Sequence, residues 1–117
     1  MGEKDGLNVN QRVKLLRKEL KLTQNEFAKM ISVSATLITL IEQDKRVVND
    51  RHIRLICDSF GVNPQWLKTG EGERYNSEKG ARVTKLLALF GNLKPRYQEF
   101  VLNQIDQFLK MQDEEGG

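Results

Sequence analysis

The sequence is poor in residues that bring special chemistry with them. Its 117 residues include one cysteine, one histidine, one tryptophan and two prolines. A single cysteine, Cys57, excludes an intrachain disulfide and any zinc site built on several cysteines. His52, the only histidine, has no Cys/His partner and is expected on the surface or in a helix cap. No apolar run approaches the ~20 residues needed to span a bilayer. The opening Met1-Gly2-Glu3-Lys4-Asp5-Gly6 lacks the apolar stretch of a secretory signal. Gly6 stands where a myristoylation signal needs Ser or Thr. Neither a Ser-Lys, a Cys-His nor a paired-carboxylate arrangement is identifiable, and there is no glycine-rich phosphate loop. The expectation is a cytoplasmic, non-enzymatic protein with no cofactor, no metal and no membrane association.

What remains is a globular composition, 38% hydrophobic and 30% charged, with a formal net charge of +3. The charge is unevenly placed. Up to Gly70 twelve Lys/Arg face eight Asp/Glu, and from Glu71 onward seven face eight. The excess positive charge therefore lies in the first part, where a polyanion-binding face is plausible.

Apolar residues recur at helical spacing and nowhere alternate cleanly at period two, so the chain is read as all-α. The first helix runs from about Val9 to Leu20, capped by Asn8 or Asn10, with Val13, Leu16 and Leu20 on one face. Thr23-Gln24-Asn25-Glu26 fits a capping box and opens the second, whose apolar face is Phe27, Met30 and Ile31. After a break at Ser32-Val33, Ser34 caps a third helix from Ala35 to about Glu42. Asp50 is expected to cap a fourth, with Ile53, Ile56, Cys57 and Phe60 inward and Gly61 as its stop. Asn63-Pro64 opens a short fifth with Trp66 and Leu67, both read as core. Thr69 to Arg74 lacks apolar residues and reads as linker. Ser77 to Phe90 and a segment opened by Pro95 form two more helices, the last carrying Tyr97, Phe100, Val101, Ile105, Phe108 and Leu109. The expected division is a disordered 1–8, a domain over 9–70, a linker at 71–76, a helical hairpin over 77–112 and a disordered tail at 113–117.

A second helix, a tight turn and a third helix can present that third helix to the major groove of DNA, which is ~12 Å wide. Arg12 to Ala28, Ile31 to Glu42, and Ile56 to Leu67 followed by Thr69-Gly70-Glu71-Gly72 resemble the lambda-repressor-like, xenobiotic-response-element family of helix-turn-helix regulators. The resemblance covers about residues 9–73. It implies a five-helix DNA-binding domain, followed here by a C-terminal two-helix segment, and it implies roles. Gln24 touches a phosphate and braces the recognition helix. Ser34 opens that helix, Ala35, Thr36 and Thr39 meet base edges, and Leu40 lies on the same surface. Lys45, Arg46 and Asn49 approach phosphates from the following loop, and Arg12 approaches the backbone too. Arg17 and Glu42 form a structural ion pair.

Two departures from the family pattern stand out. The third helix contains no Arg, Lys, Gln or Asn, the side chains that make bidentate base contacts, so methyl contacts and DNA shape must carry much of the specificity. Asp44 replaces the family's usual glycine and brings a carboxylate close to the expected phosphate track. The C-terminal pair of about 35 residues cannot bury both its apolar faces unaided. A homodimer through these helices is expected, matched to a palindromic operator in double-stranded DNA. The implied function is transcriptional repression of the phage or mobile-element kind, open to a protein antagonist. The alternative is a protein-binding adaptor or antitoxin-like protein that reuses the fold.

Overall fold

The protein, described by a computed structural model over residues 5–115, is all-helical. Its elements are α1 (Val9–Glu19), α2 (Gln24–Met30), α3 (Ala35–Glu42), α4 (Asp50–Phe60), α5 (Pro64–Thr69), α6 (Glu78–Gly91) and α7 (Pro95–Glu114). Local caps set most of these boundaries. Asn8 caps α1, its side chain accepting from the Gln11 N–H at 2.8 Å while Gln11 reaches back to the Asn8 N–H. The Thr23/Glu26 box opens α2 as the sequence indicates. Ser34 caps α3 by accepting from the Leu37 N–H. In α4 the cap is Asn49 and not Asp50: Asn49 accepts from the His52 N–H at 2.9 Å, and His52 Nδ1 accepts from the Asn49 N–H at 3.4 Å. Gly61, at φ 65°, ends α4 in the left-handed conformation that side chains disfavour.

The core gathers one face of each of the first five helices. Val13, Leu16 and Leu20 from α1 and its cap meet Phe27, Ile31, Ile38, Ile41, Ile56, Phe60 and Leu67. The Phe27 and Phe60 rings stack at 5.3 Å. Cys57 and Trp66 are buried in this cluster. Met30, expected on the apolar face of α2, points to solvent at 41% exposure. It borders an open apolar groove of about 460 Å³ shared by Leu22, Leu87, Phe90 and Gln98.

Four segments expected from the sequence can be set beside the structure. Residues 1–4 lie outside the described residues, but Asp5 to Asn8, expected as disordered, form a clasp. Asp5 and the Leu7 carbonyl both take hydrogen bonds from Arg12. The stretch 71–76, expected as a linker, is tied to the domain. Asn63 N–H donates to the Arg74 carbonyl at 2.8 Å, Tyr75 forms a bridge with Val62, and Arg74 lies 4.7 Å over the Trp66 ring while pairing with Glu19. The lack of apolar residues from Thr69 to Arg74 signalled a linker because backbone pairing and a cation–ring contact leave no apolar trace, and Tyr75, just beyond, packs against the core. Over 77–112, expected as a helical hairpin, the two helices share a groove lined by Leu87, Phe90 and Gln98. α6 is anchored, since Thr84 donates to the Phe60 carbonyl at 3.1 Å and a Cβ on Gly80 would stand 3.3 Å from the Gly61 carbonyl oxygen. α7 meets α6 where Gln98 Nε2 donates to the Phe90 carbonyl at 3.0 Å, Gln98 and Val101 are half-buried, and none of its residues is fully buried. Of the expected disordered tail 113–117, Asp113 and Glu114 complete α7, while residues 116–117 are outside the described residues.

Candidate nucleic-acid interface

The turn between α2 and α3 is tight because Ser32 takes a left-handed φ of 61° and Val33 N–H closes on the Ala28 carbonyl at 2.9 Å. α3 is thereby set across α2, and an open cleft of about 560 Å³ forms along the crossing. Gln24, Ala35, Thr36 and Thr39 line it together with Thr23, Asn25 and Arg17. Thr36 is exposed and Ala35, Thr39 and Leu40 are half-buried, so the upper face of α3 is open to a ligand. Ser34 is exposed while its hydroxyl serves the cap.

A chain of polar contacts stiffens this surface. Arg17 reaches Glu42 through two bonds, Nε to Oε2 at 2.6 Å and Nη2 to Oε1 at 2.9 Å, and adds a bond to the Leu22 carbonyl. Gln24 Nε2 donates to the same Glu42 Oε1 at 3.0 Å. Gln24 Oε1 then accepts from the Thr39 hydroxyl at 2.8 Å. The Glu42 side chain is 3% exposed. Burial raises its pKa, but the bonds from Arg17 and Gln24 outweigh burial and hold it below its ordinary 4.5. The carboxylate thus stays charged and organises three donors.

The network has a chemical consequence at Thr39. Its single hydroxyl proton goes to Gln24 or to the Ala35 carbonyl at 3.1 Å. Thr39 therefore offers a ligand its oxygen lone pair and its methyl group, but no donor. Gln24 keeps one amide proton for a ligand after serving Glu42.

The loop after α3 carries the basic residues. Asn10, read as a possible cap, is instead 95% removed from water beneath this loop. Its Nδ2 donates to Asp44 Oδ1 at 2.8 Å and to the Arg46 carbonyl at 2.9 Å, and its Oδ1 accepts from Val48 N–H at 3.3 Å. Asp44 occupies the left-handed region at φ 60°, the place of the family's glycine, and its carboxylate is tethered by Asn10. Lys45 and Arg46 are left exposed on a pinned loop, as is Asn49, whose side-chain oxygen is committed to the α4 cap. His52 feels the charges of Arg46 and Arg51. Burial first, then those two cations, lower its pKa from the ordinary 6.5, which keeps Nδ1 available as an acceptor.

Arg12 is a correction. Its side chain is fully buried and bonds to Asp5, to the Leu7 carbonyl and, through Nη1 at 3.1 Å each, to the Leu67 and Lys68 carbonyls. It ties the chain start to the end of α5 and cannot reach a phosphate. Arg17 and Glu42 are the buried pair the resemblance implied. Asn10, Asn25 and Thr23, read from the sequence only as cap residues, stand at this surface as well. Only a spacing argument from the Asn10 position to a loop more than thirty residues away could have found the first. Asn25, one residue past Gln24, was legible from the α2 cap alone.

Among the described residues no group of three or more His, Cys, Asp or Glu could hold a metal ion, and no helix is long and apolar enough to cross a membrane.

Two helices crossed over a tight turn, the second exposed and braced by the first, define a helix-turn-helix protein. A family model described as a helix-turn-helix domain matches residues 10–73, more than half of the chain. The chain belongs to this family, in its lambda-repressor-like form. Among solved structures it is similar to the P22 c2 repressor protein in complex with a synthetic operator, at 25% identity and a TM-score of 0.51, over 56% of this chain and 98% of that one. No curated protein sequence matches the chain.

Proposed function

We propose that this protein is a sequence-specific DNA-binding transcriptional regulator, a repressor of the phage or mobile-element type, acting in the cytoplasm. It occupies a palindromic operator as a homodimer joined through its C-terminal helices. The observation that carries this reading is the exposed α3 face, braced through Gln24 and Thr39 and flanked by Lys45 and Arg46 on a loop held by Asn10. Its fold likeness to a repressor crystallised with a synthetic operator supports the same reading.

In the bound state α3 lies in the major groove. Thr36 and Thr39 turn methyl groups toward thymine, and the Thr39 oxygen accepts from adenine N6 or cytosine N4. Lys45 and Arg46 take phosphates. Gln24 holds the recognition helix in register and donates its remaining proton to the backbone. With no long polar side chain on α3, sequence-dependent groove shape contributes to the choice of site.

Selection of bound duplexes from a random pool, followed by anisotropy titration over a range of salt, tests the reading. A two-fold symmetric consensus is expected, with log affinity falling against log salt at ~0.9 per phosphate neutralised. Failure to enrich any sequence at low salt would overturn it. A second reading draws on the exposed apolar groove beside Met30 and Phe90, which suits a protein adaptor. A stoichiometric partner in a pulldown, with no duplex binding at low salt, would favour that alternative.

A further inference from the structure

α7 is 20 residues long, about 30 Å, and buries none of them. Tyr97, Val101, Ile105 and Phe108 follow one another at three- and four-residue spacing, the period of a helix–helix seam. Phe100 and Leu109 widen the stripe. Phe108 is 61% exposed, Phe100 62% and Ile105 40%. An apolar ridge this continuous on a soluble chain marks an interaction surface.

The ends of the stripe say what covers it. One step before Tyr97 at the same spacing is Lys94, and after Phe108 come Gln112 and Glu115. The apolar run is thus closed by a cation at its start and an anion at its finish. Lys94 is joined at its end of the helix by Arg96, and Glu115 at its end by Asp113 and Glu114. Such a helix is complementary to itself only when reversed.

We propose that α7 pairs with α7 of a second copy, antiparallel, about a two-fold axis passing between Gln104 and Ile105. In this register Lys94 meets the partner's Glu115, Tyr97 meets the partner's Gln112, Val101 meets the partner's Phe108, and Ile105 lies beside the partner's Ile105. The apolar seam supplies the affinity. The terminal charges, being exposed, select the direction and register. A parallel pair would set Lys94 against the partner's Lys94 and Glu115 against the partner's Glu115, and would align the two helix dipoles. The pairing rests on the homodimer reading above and specifies its geometry.

Cysteine crosslinking of the full chain tests it without DNA, and Cys57, buried, gives a quiet background. Under mild copper–phenanthroline oxidation Ile105→Cys should form a covalent dimer and Tyr97→Cys should not. A mixture of Tyr97→Cys and Gln112→Cys should crosslink again. By sedimentation, Lys94→Glu should weaken the dimer on the order of tenfold, since the symmetry turns two ion pairs repulsive. Lys94→Glu with Glu115→Lys should restore it, and Phe108→Asp should abolish it. A dimer in which Tyr97→Cys crosslinks to itself, or in which none of these positions crosslinks, would overturn the antiparallel seam while leaving the homodimer standing. A chain that stays monomeric at about 100 μM, well above the range of specific assembly, would overturn both.

Discussion

Changing Glu42 to Gln keeps the shape of the side chain and removes its charge. Three donors now converge on it: Arg17 Nε, Arg17 Nη2 and Gln24 Nε2. An amide offers them one acceptor oxygen and turns an N–H toward the rest. The guanidinium of Arg17, 12% exposed, would lose its counter-charge. Breaking a buried pair on one side costs about 3–5 kcal/mol. The lower end applies here, because Arg17 retains its 2.7 Å bond to the Leu22 carbonyl. A loss of about 3 kcal/mol in a domain of this size lowers the melting temperature on the order of 15 °C, readable by circular dichroism. Removing both charges together, as Arg17→Met with Glu42→Leu, should return most of that stability, since apolar replacements of buried pairs are often neutral. Duplex affinity should not return with it. Gln24 Nε2 has still lost its acceptor, Thr39 is no longer locked, and a hydrogen bond of about 1.4 kcal/mol corresponds to roughly tenfold in binding by fluorescence anisotropy. If the double variant recovers both melting temperature and affinity, Glu42 supports the fold alone and the bracing argument is refuted.

Other expectations follow from the same geometry. The depressed His52 pKa means the unfolded chain takes up its proton first as pH falls. This group's contribution to stability is therefore complete above the ordinary value of 6.5 and is lost progressively below it. In His52→Gln, which keeps a capping side chain, urea midpoints should lose that slope between about pH 5 and 7. Asp44→Asn retains tolerance of the left-handed φ and an acceptor for Asn10 while deleting a negative charge beside Lys45 and Arg46. Duplex affinity should rise about two- to fivefold at low salt, with the gain vanishing near 0.5 M. Burial, aided by the Asp58 carboxylate, pushes the Cys57 thiol up to about 11. It should not react with a colorimetric disulfide reagent at pH 8 until urea unfolds the chain.

How much of this was legible in the sequence depended on how local the cause was. The Thr23/Glu26 box, the Ser34 cap and the Gly61 stop are each written within four residues, and the helices begin and end there. Asn49 and Asp50 are adjacent cap-type residues, and only the reach of His52 back to Asn49 separates them. The exposure of Thr36 and the half-burial of Thr39 on one face of α3 follow the helical period. The bond from Thr39 to Gln24 does not, because its partners lie on different helices. Arg12 and Asn10 were harder still. Both are polar residues on the α1 face that turns inward, and much of what satisfies them comes from backbone groups of distant residues that no side-chain pattern announces.

The clasp at Asp5 has a practical meaning for anyone handling the protein. Asp5 resembles dispensable surface residue, yet it faces a guanidinium sealed at the centre of the fold. Trimming the chain to begin at Gly6, or crowding that end with a fusion, would be felt as an interior lesion between α1 and α5. An exposed carboxylate is here the counter-charge of one of the innermost side chains.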